Sequence, residues 1–173
     1  MVRIPLATAA IVLLLGGCSA VGSAGNATDS ATVSATASAA GTQADALPLL
    51  TVQKHPTCGC CSVWIEHVRE AGFEVEARDV EDMATVKDAA GVPDAMASCH
   101  TAEVGGYFIE GHVPAADIAR LLRERPAARG LAVPGMPLGS PGMEHPEGIV
   151  HPYAVMLVLE DGSTREFSRY PRE

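Results

Sequence analysis

Three of the five cysteines in this 173-residue chain, Cys58, Cys60 and Cys61, lie within four positions. They follow an apolar stretch at 48–54 that predicts a buried strand, and they precede residues 62–71, which predict a helix. A thiolate at a helix N-terminus is stabilised by unpaired backbone N–H groups and by the positive end of the helix dipole. Ionised thiols are both nucleophiles and metal ligands, so we predict that this cluster carries the function.

The spacing of the three cysteines supports two kinds of chemistry. Cys58 and Cys61 have the C-x-x-C spacing of a redox pair, whereas Cys60 adds a third sulfur that a simple disulfide exchanger does not need. Soft thiolates select Cu(I), Zn(II) or an iron–sulfur cluster. A zinc site would want four ligands in a tetrahedron. The residues favour a metal site but leave the metal, and the redox alternative, open.

Other soft or nitrogen-bearing side chains are candidate ligands. Cys99 and His100 lie together in a polar stretch, which favours a functional site over the common alternative of a buried free thiol. Met136 and Met143 lie in a loop rich in Gly and Pro. Thioethers suit Cu(I) and are poor ligands for zinc, although methionine more often fills gaps in a core. His112 is interpreted as a solvated or hydrogen-bonded turn residue.

The rest of the sequence predicts the elements that must position these side chains. Hydrophobic periodicity and turn residues define them. They are a strand at 73–80, a helix at 83–90, a hairpin of strands 102–104 and 107–110 about Gly105-Gly106, a helix at 114–125, a loop at 130–151, and a closing hairpin of strands 154–159 and 164–168.

This order, βαβα followed by ββα, predicts an α/β (α+β) domain of the thioredoxin-like class. A C-terminal Gly/Pro/Met loop and a β-hairpin are added to it. In such folds the loop before the third strand lies against the C-x-x-C helix. We therefore expect Cys99 and His100 to face the cysteine cluster across a few ångströms.

The N-terminus has the pattern of an export signal. A charged start is followed by a short apolar stretch at 4–15, which is below the roughly 20 residues that a spanning helix needs. The stretch ends in Leu15-Gly16-Gly17-Cys18, which resembles the lipobox of bacterial lipoproteins. We expect residues 1–17 to be a lipoprotein signal peptide and Cys18 to carry the lipid. An ordinary signal peptide with an incidental cysteine is the alternative.

Composition divides the mature chain into two parts. Residues 18–46 are rich in Ser, Ala and Thr and have no periodicity, which predicts a disordered tether. Residues 47–173 are enough for a single folded domain. Acidic residues outnumber basic ones by 21 to 12 and no Lys or Arg cluster occurs, so the sequence predicts no nucleic-acid partner.

Four motifs in chain order resemble the CopG-type family of exported copper proteins, which is also described as a domain of unknown function. The resemblance extends over about residues 51–170. The motifs are Thr57-Cys58-Gly59-Cys60-Cys61, Ala97-Ser98-Cys99-His100-Thr101, Glu110-Gly111-His112-Val113-Pro114-Ala115 and Gly130-Leu131-Ala132-Val133-Pro134-Gly135-Met136-Pro137.

The resemblance implies a thioredoxin-like domain outside the cytoplasm that binds Cu(I) through cysteines, as single ions or as a multinuclear cluster, and takes part in copper resistance. Carried over by position, the sulfur ligands would be Cys58, Cys60, Cys61 and Cys99. His100, Met136 and Met143 would be supplementary ligands.

Our leading hypothesis is an exported Cu(I)-binding protein of copper resistance and homeostasis. We expect it to be anchored through its lipidated N-terminus, to face the periplasm or the cell exterior, and to exchange copper with delivering or accepting proteins. The alternative is an enzyme, a thiol–disulfide oxidoreductase that uses Cys58 and Cys61, with Cys60 or Cys99 as the resolving thiol. A structural zinc module is disfavoured by the export signal and by the methionines.

Overall fold

A computed structural model describes residues 47–172, which form a mixed α/β structure. Within them lie seven strands in one sheet and three α-helices. The predicted signal peptide and the whole of the predicted tether, residues 18–46 with Cys18, lie outside the described residues. None of the helices in residues 47–172 is long and apolar enough to cross a membrane.

The elements follow one another in the predicted order as far as the third helix. The strands are β1 Leu50–Lys54, β2 Val75–Asp79, β3 His100–Val104, β4 Tyr107–Glu110, β5 Ala128–Ala132, β6 Tyr153–Leu159 and β7 Thr164–Tyr170. The helices are α1 Gly59–Glu70, α2 Met83–Ala90 and α3 Ala115–Glu124, with a short 3-10 helix at Asp94–Met96.

The strand order of the sheet is β2-β1-β3-β4-β5-β6-β7. The pairs β1–β2 and β4–β5 are parallel, and the other neighbours are antiparallel. The register places Lys54 beside His100 and Glu110 beside both Thr101 and Ala132. The ends of β1, β4 and β5 and the start of β3 therefore lie at one edge of the sheet. The segments that follow or precede these strand ends all meet there.

The main core lies between the sheet, α1 and α3. Trp64 and Val68 of α1 and Ile118 of α3 are fully buried there against Ile109 and other strand residues. The opposite face of the sheet carries a smaller cluster of Val92, Phe108, Ala132 and Val158. Because neighbouring strand residues point to opposite faces, Phe108 and Ile109 belong to different clusters. The larger cluster packs α1 against the sheet, and the cysteine loop lies at the start of α1.

The prediction of an irregular loop over 130–151 was wrong at its start, because 130–132 belong to β5, which pairs in parallel with β4. The sequence Ala-Arg-Gly-Leu-Ala hides this strand, since a glycine inside a strand weakens the usual pattern. A Cβ atom on Gly130 would overlap the carbonyl oxygen of Phe108, so only glycine fits this pairing. The closing hairpin β6–β7 then extends the same sheet from β5.

Candidate metal centre

The cysteine cluster is built into the start of α1. Cys58 is the N-cap residue with an extended backbone, and Cys60 and Cys61 lie in the first helical turn, which contains no acidic residue. The predicted start at Ser62 was wrong, because the helix begins at Gly59. Ser62 is inside the helix, where its hydroxyl donates back to the Cys58 carbonyl at 3.5 Å. All three sulfurs therefore lie in the positive field of the helix N-terminus.

Four sulfurs converge at this edge of the sheet. The Sγ atoms of Cys58, Cys60, Cys61 and Cys99 all lie within 4.8 Å of one another. Cys61 is buried and the other three are half-buried. The structure thus brings together the four cysteines that the sequence singled out as sulfur ligands, although they come from two separate segments.

Cys58 and Cys61 are joined by a disulfide, whereas Cys60 and Cys99 are free thiols. The Cys60 sulfur lies 3.7 Å from that of Cys58. In this oxidised form two of the four sulfurs cannot act as thiolate ligands. Reduction by two electrons and two protons makes them available again. Disulfide formation and metal coordination would therefore use the same sulfur atoms.

A second group of ligand atoms shares Cys99 with the first. The Cys99 sulfur lies 3.0 Å from His112 Nε2 and 3.3 Å from His100 Nδ1. The His112 Nδ1 atom lies 2.8 Å from the carbonyl oxygen of Pro141, to which it can only donate. In the neutral ring this leaves Nε2 with its lone pair toward Cys99. His112 is therefore preset either to accept the Cys99 S–H or to bind a metal ion.

His112 is the site residue that the sequence interpretation missed. It is fully buried rather than in a solvated turn, and with Cys99 and His100 it forms a group that could hold a metal ion. Its position follows from the strand register, since it comes two residues after the end of β4 at the edge where the cysteines lie. The only sequence signal was its place in the Glu110–Ala115 motif, which gives no indication of burial.

Burial keeps both imidazoles neutral. It lowers the pKa of His100 well below the ordinary value, with smaller contributions from His112 and the Lys87 ammonium. Burial also lowers the pKa of His112. The same desolvation, followed by the proximity of Cys60, raises the pKa of the Cys99 thiol to about 11. At neutral pH the nitrogens are therefore ready to coordinate a metal ion, whereas Cys99 must release a proton to do so.

His100 has an unusual environment among the described residues. Its Nε2 atom is buried and has no hydrogen-bond partner. Its ring lies 4.3 Å from the ring of Trp64, centroid to centroid, and 5.2 Å from that of His112. The Trp64 indole is itself fixed, because its N–H donates to the Val113 carbonyl at 2.9 Å. A buried polar atom without a partner is costly, which is consistent with a ring kept for ligand binding.

The loop between β5 and β6 covers part of this edge. A Cβ atom on Gly142 would meet the Cys60 carbonyl oxygen and the Trp64 amide at 2.8 Å, so the loop backbone runs directly against α1. Glu144 accepts hydrogen bonds from the Gly142 amide at 2.9 Å and from His67 at 2.8 Å. Together with the Pro141 carbonyl that binds His112, these contacts fix the loop beside the thiols.

The two predicted methionine ligands lie in this loop. Met143 is half-buried and directly follows Gly142, whereas 53 % of Met136 is exposed. Their role as ligands stays a prediction. The donor set of the site is otherwise four sulfurs and two imidazoles. Thiolates select Cu(I), Zn(II) or an iron–sulfur cluster, and imidazoles also suit zinc and copper, so this donor set fits a soft metal ion.

Comparisons with known proteins identify a family match and two similar solved structures. Residues 96–143 match a family model described as a protein of unknown function, DUF411, and this segment contains Cys99, His100 and His112. The chain is similar to a solved structure named copper resistance protein CopG, form 1, with 44 % identity over 73 % of this chain and 99 % of that one, and a TM-score of 0.68. For form 2 the identity is 45 %, the coverages are 72 % and 99 %, and the TM-score is 0.69. No curated protein sequence matches the chain.

Proposed function

This chain belongs to the family of the copper resistance protein CopG, and from that premise we propose that it binds copper as Cu(I) in copper resistance. The observation that carries the proposal is the convergence of Cys58, Cys60, Cys61 and Cys99 within 4.8 Å. Cu(I) prefers soft thiolates. We further propose that these four sulfurs hold more than one copper ion.

The proposed ligands differ in their protonation before copper binds. Once the disulfide is reduced, Cys58, Cys60 and Cys61 are thiols at a helix N-terminus that favours their ionised form. Cys99 gives up its proton when it binds Cu(I), and His112 Nε2, 3.0 Å away, is placed to accept that proton or to coordinate the ion. His100, Met136 and Met143 complete the proposed ligand set.

The finer parts of our interpretation belong to the same proposal. The element order through α3 and the strand order β2-β1-β3-β4 support a thioredoxin-like core, to which β5, the covering loop and β6–β7 are added. Export, lipidation of Cys18 and anchoring outside the cytoplasm follow from the sequence pattern of residues 1–46. In an oxidising compartment, bound Cu(I) would protect the thiols from oxidation.

A second candidate function is thiol–disulfide exchange. It is favoured by the disulfide between Cys58 and Cys61 at the start of α1, with the free thiol of Cys60 3.7 Å from Cys58. Transfer of this disulfide to a substrate dithiol would leave Cys58 and Cys61 reduced and the substrate oxidised, with two electrons and two protons exchanged. This activity needs no ligand from His100 or His112.

The test is an anaerobic Cu(I) titration of the reduced full chain against a chromophoric chelator, repeated with Zn(II). We expect tight binding of more than one Cu(I), with weaker binding in each of the variants C58S, C60S, C61S and C99S and no equivalent affinity for zinc. Weak or single-site binding that survives C60S and C99S, together with rapid oxidation of a substrate dithiol, would favour the exchange enzyme instead.

A further inference from the structure

A fully buried carboxylate lies directly behind the candidate ligands. Glu110, the last residue of β4, is 0 % exposed. Its Oε1 atom accepts hydrogen bonds from the Ser98 amide and from Lys87 Nζ, each at 2.6 Å, and its Oε2 atom accepts from the Thr101 hydroxyl at 2.7 Å. Lys87 also donates to Thr101 at 3.1 Å. One carboxylate thus holds both ends of the segment that contains Cys99 and His100.

The backbone around this carboxylate is equally constrained. The Gly111 amide donates to the His100 carbonyl at 3.0 Å, and the Val133 amide donates to the Glu110 carbonyl at 3.0 Å. Gly111 has a φ of +69°, and a Cβ atom there would lie 2.6 Å from the Ser98 Cβ. The segment 98–101 therefore has little room to move, and Glu110 supplies the only charged contact that reaches both of its ends among the described residues.

A gain in folding stability does not by itself explain the buried pair of Lys87 and Glu110. A buried ion pair is costly to desolvate, and apolar residues of similar volume are often as stabilising. The pair between Lys87 and Glu110 instead gives directed hydrogen bonds at fixed positions. Residues behind the ligands of a metal site characteristically orient those ligands in this way.

We propose that Glu110, neutralised by Lys87, is a positioning residue that fixes segment 98–101 so that Cys99 and His100 stay within reach of the cysteine cluster and of His112. The inference rests on the proposed copper function for its consequence, but the positioning itself is a property of the copper-free protein. The Lys87 ammonium neutralises the carboxylate, so the pair adds no net negative charge beside the thiols that must ionise to bind copper.

The test compares two variants that both lack the lysine. K87M/E110L removes the acceptor but leaves no unpaired buried charge, whereas K87M/E110Q keeps an amide oxygen for the Ser98 N–H. The control is D117N. Asp117 lies on α3 and, like Glu110, is 0 % exposed. It accepts hydrogen bonds from Ser168 and Tyr170 at 2.6 and 2.8 Å. The full chain is used throughout, so that every variant is compared in the same context.

Two measurements are made on each variant. One is Cu(I) affinity by competition with a chelator. The other is the rate at which iodoacetamide alkylates Cys99 in the copper-free chain, followed by peptide mass spectrometry. We expect K87M/E110L to lose about 10- to 100-fold in affinity and to be alkylated faster at Cys99, and K87M/E110Q to recover most of both. D117N should lower the unfolding temperature without changing either quantity.

The outcomes separate this inference from the proposed function. Unchanged alkylation of Cys99 in K87M/E110L, or an equal change in D117N, would overturn the positioning role. A wild-type chain that does not bind Cu(I) would overturn the proposed function, while the alkylation rates would still decide whether Glu110 positions Cys99. If K87M/E110L does not fold, E110D keeps the charge but withdraws the carboxylate by one methylene, and we expect the same changes at smaller size.

Discussion

Two groups of candidate ligands share Cys99, and they are built by different means. The cysteine corner, Cys58, Cys60 and Cys61, comes from one four-residue stretch at a helix N-terminus, has two half-buried members, and contains a disulfide. The histidine corner, His100 and His112, comes from the start of β3 and from the segment after β4, is fully buried, and is held neutral by desolvation. The first group contains a disulfide that reduction would open, whereas the second is preset in geometry and protonation.

Loss of Cys99 should have the largest effect, because it removes the atom common to both corners. We expect C99S to lower Cu(I) affinity by more than about 100-fold, since even residues that only orient ligands contribute about 10- to 100-fold. Chelator competition measures this. The copper-free variant should unfold at nearly the wild-type temperature, which separates ligand loss from misfolding. Wild-type affinity in C99S would show that the two corners act independently.

Loss of Cys60 should separate the copper binding of the cysteine corner from its oxidation of dithiols. In C60S the Cys58–Cys61 disulfide can still form, so we expect unchanged dithiol oxidation but Cu(I) affinity reduced by about tenfold or more. C58S is the matched variant, because it loses one sulfur and also the disulfide. If C60S abolished dithiol oxidation and left copper binding intact, Cys60 would belong to an exchange mechanism instead.

Substitution of His112 should have a smaller effect on Cu(I) affinity. The size of this effect should differ between the asparagine and glutamine variants. H112N keeps a donor near the position of Nδ1 for the Pro141 carbonyl but removes Nε2, which faces Cys99 at 3.0 Å. H112Q places its amide near the position of Nε2. We expect H112N to lower Cu(I) affinity by about tenfold, the lower end of the usual range for such changes. Equal affinity in both variants and in wild type would remove His112 from the ligand set.

Acid should weaken the copper-free protein through the histidine corner. The pKa values of His100 and His112 are lowered in the folded state, so below the unfolded value of 6.5 the unfolded chain binds more protons than the native one. The two rings then make their full contribution to the free energy of unfolding above pH 6.5. Below that value the contribution decreases with falling pH, by up to about 1.4 kcal/mol per pH unit for each ring.

Urea unfolding between pH 7 and pH 5 measures this slope. H112N should reduce the slope, because one of the two buried rings is gone. H67N is the control, since 40 % of the His67 side chain is exposed and its partner Glu144 lies on the surface loop. A slope that H67N reduces more than H112N would locate the acid sensitivity in the loop contact and not in the buried pair.

The two corners also differ in how much of them the sequence could predict. The cysteine corner was recognisable because its residues lie within four positions and the strand–loop–helix pattern around them is local. Cys99 was placed beside it by the expected order of elements. His112 was not, because its burial depends on the β4–β5 register and on the loop at Pro141, which are long-range contacts. β5 was missed for a related reason, since Gly130 is explained only by the strand it pairs with.

The contact between the tilted rings of Trp64 and His100 gives the protein an internal optical probe. Trp64 is the only tryptophan in the chain, so all indole emission arises from a ring 4.3 Å from that of a candidate ligand. Quenching of this emission by an arriving ion would report events at the histidine corner and not merely uptake by the chain. The order in which the two corners fill could then be followed in real time in an unlabelled protein.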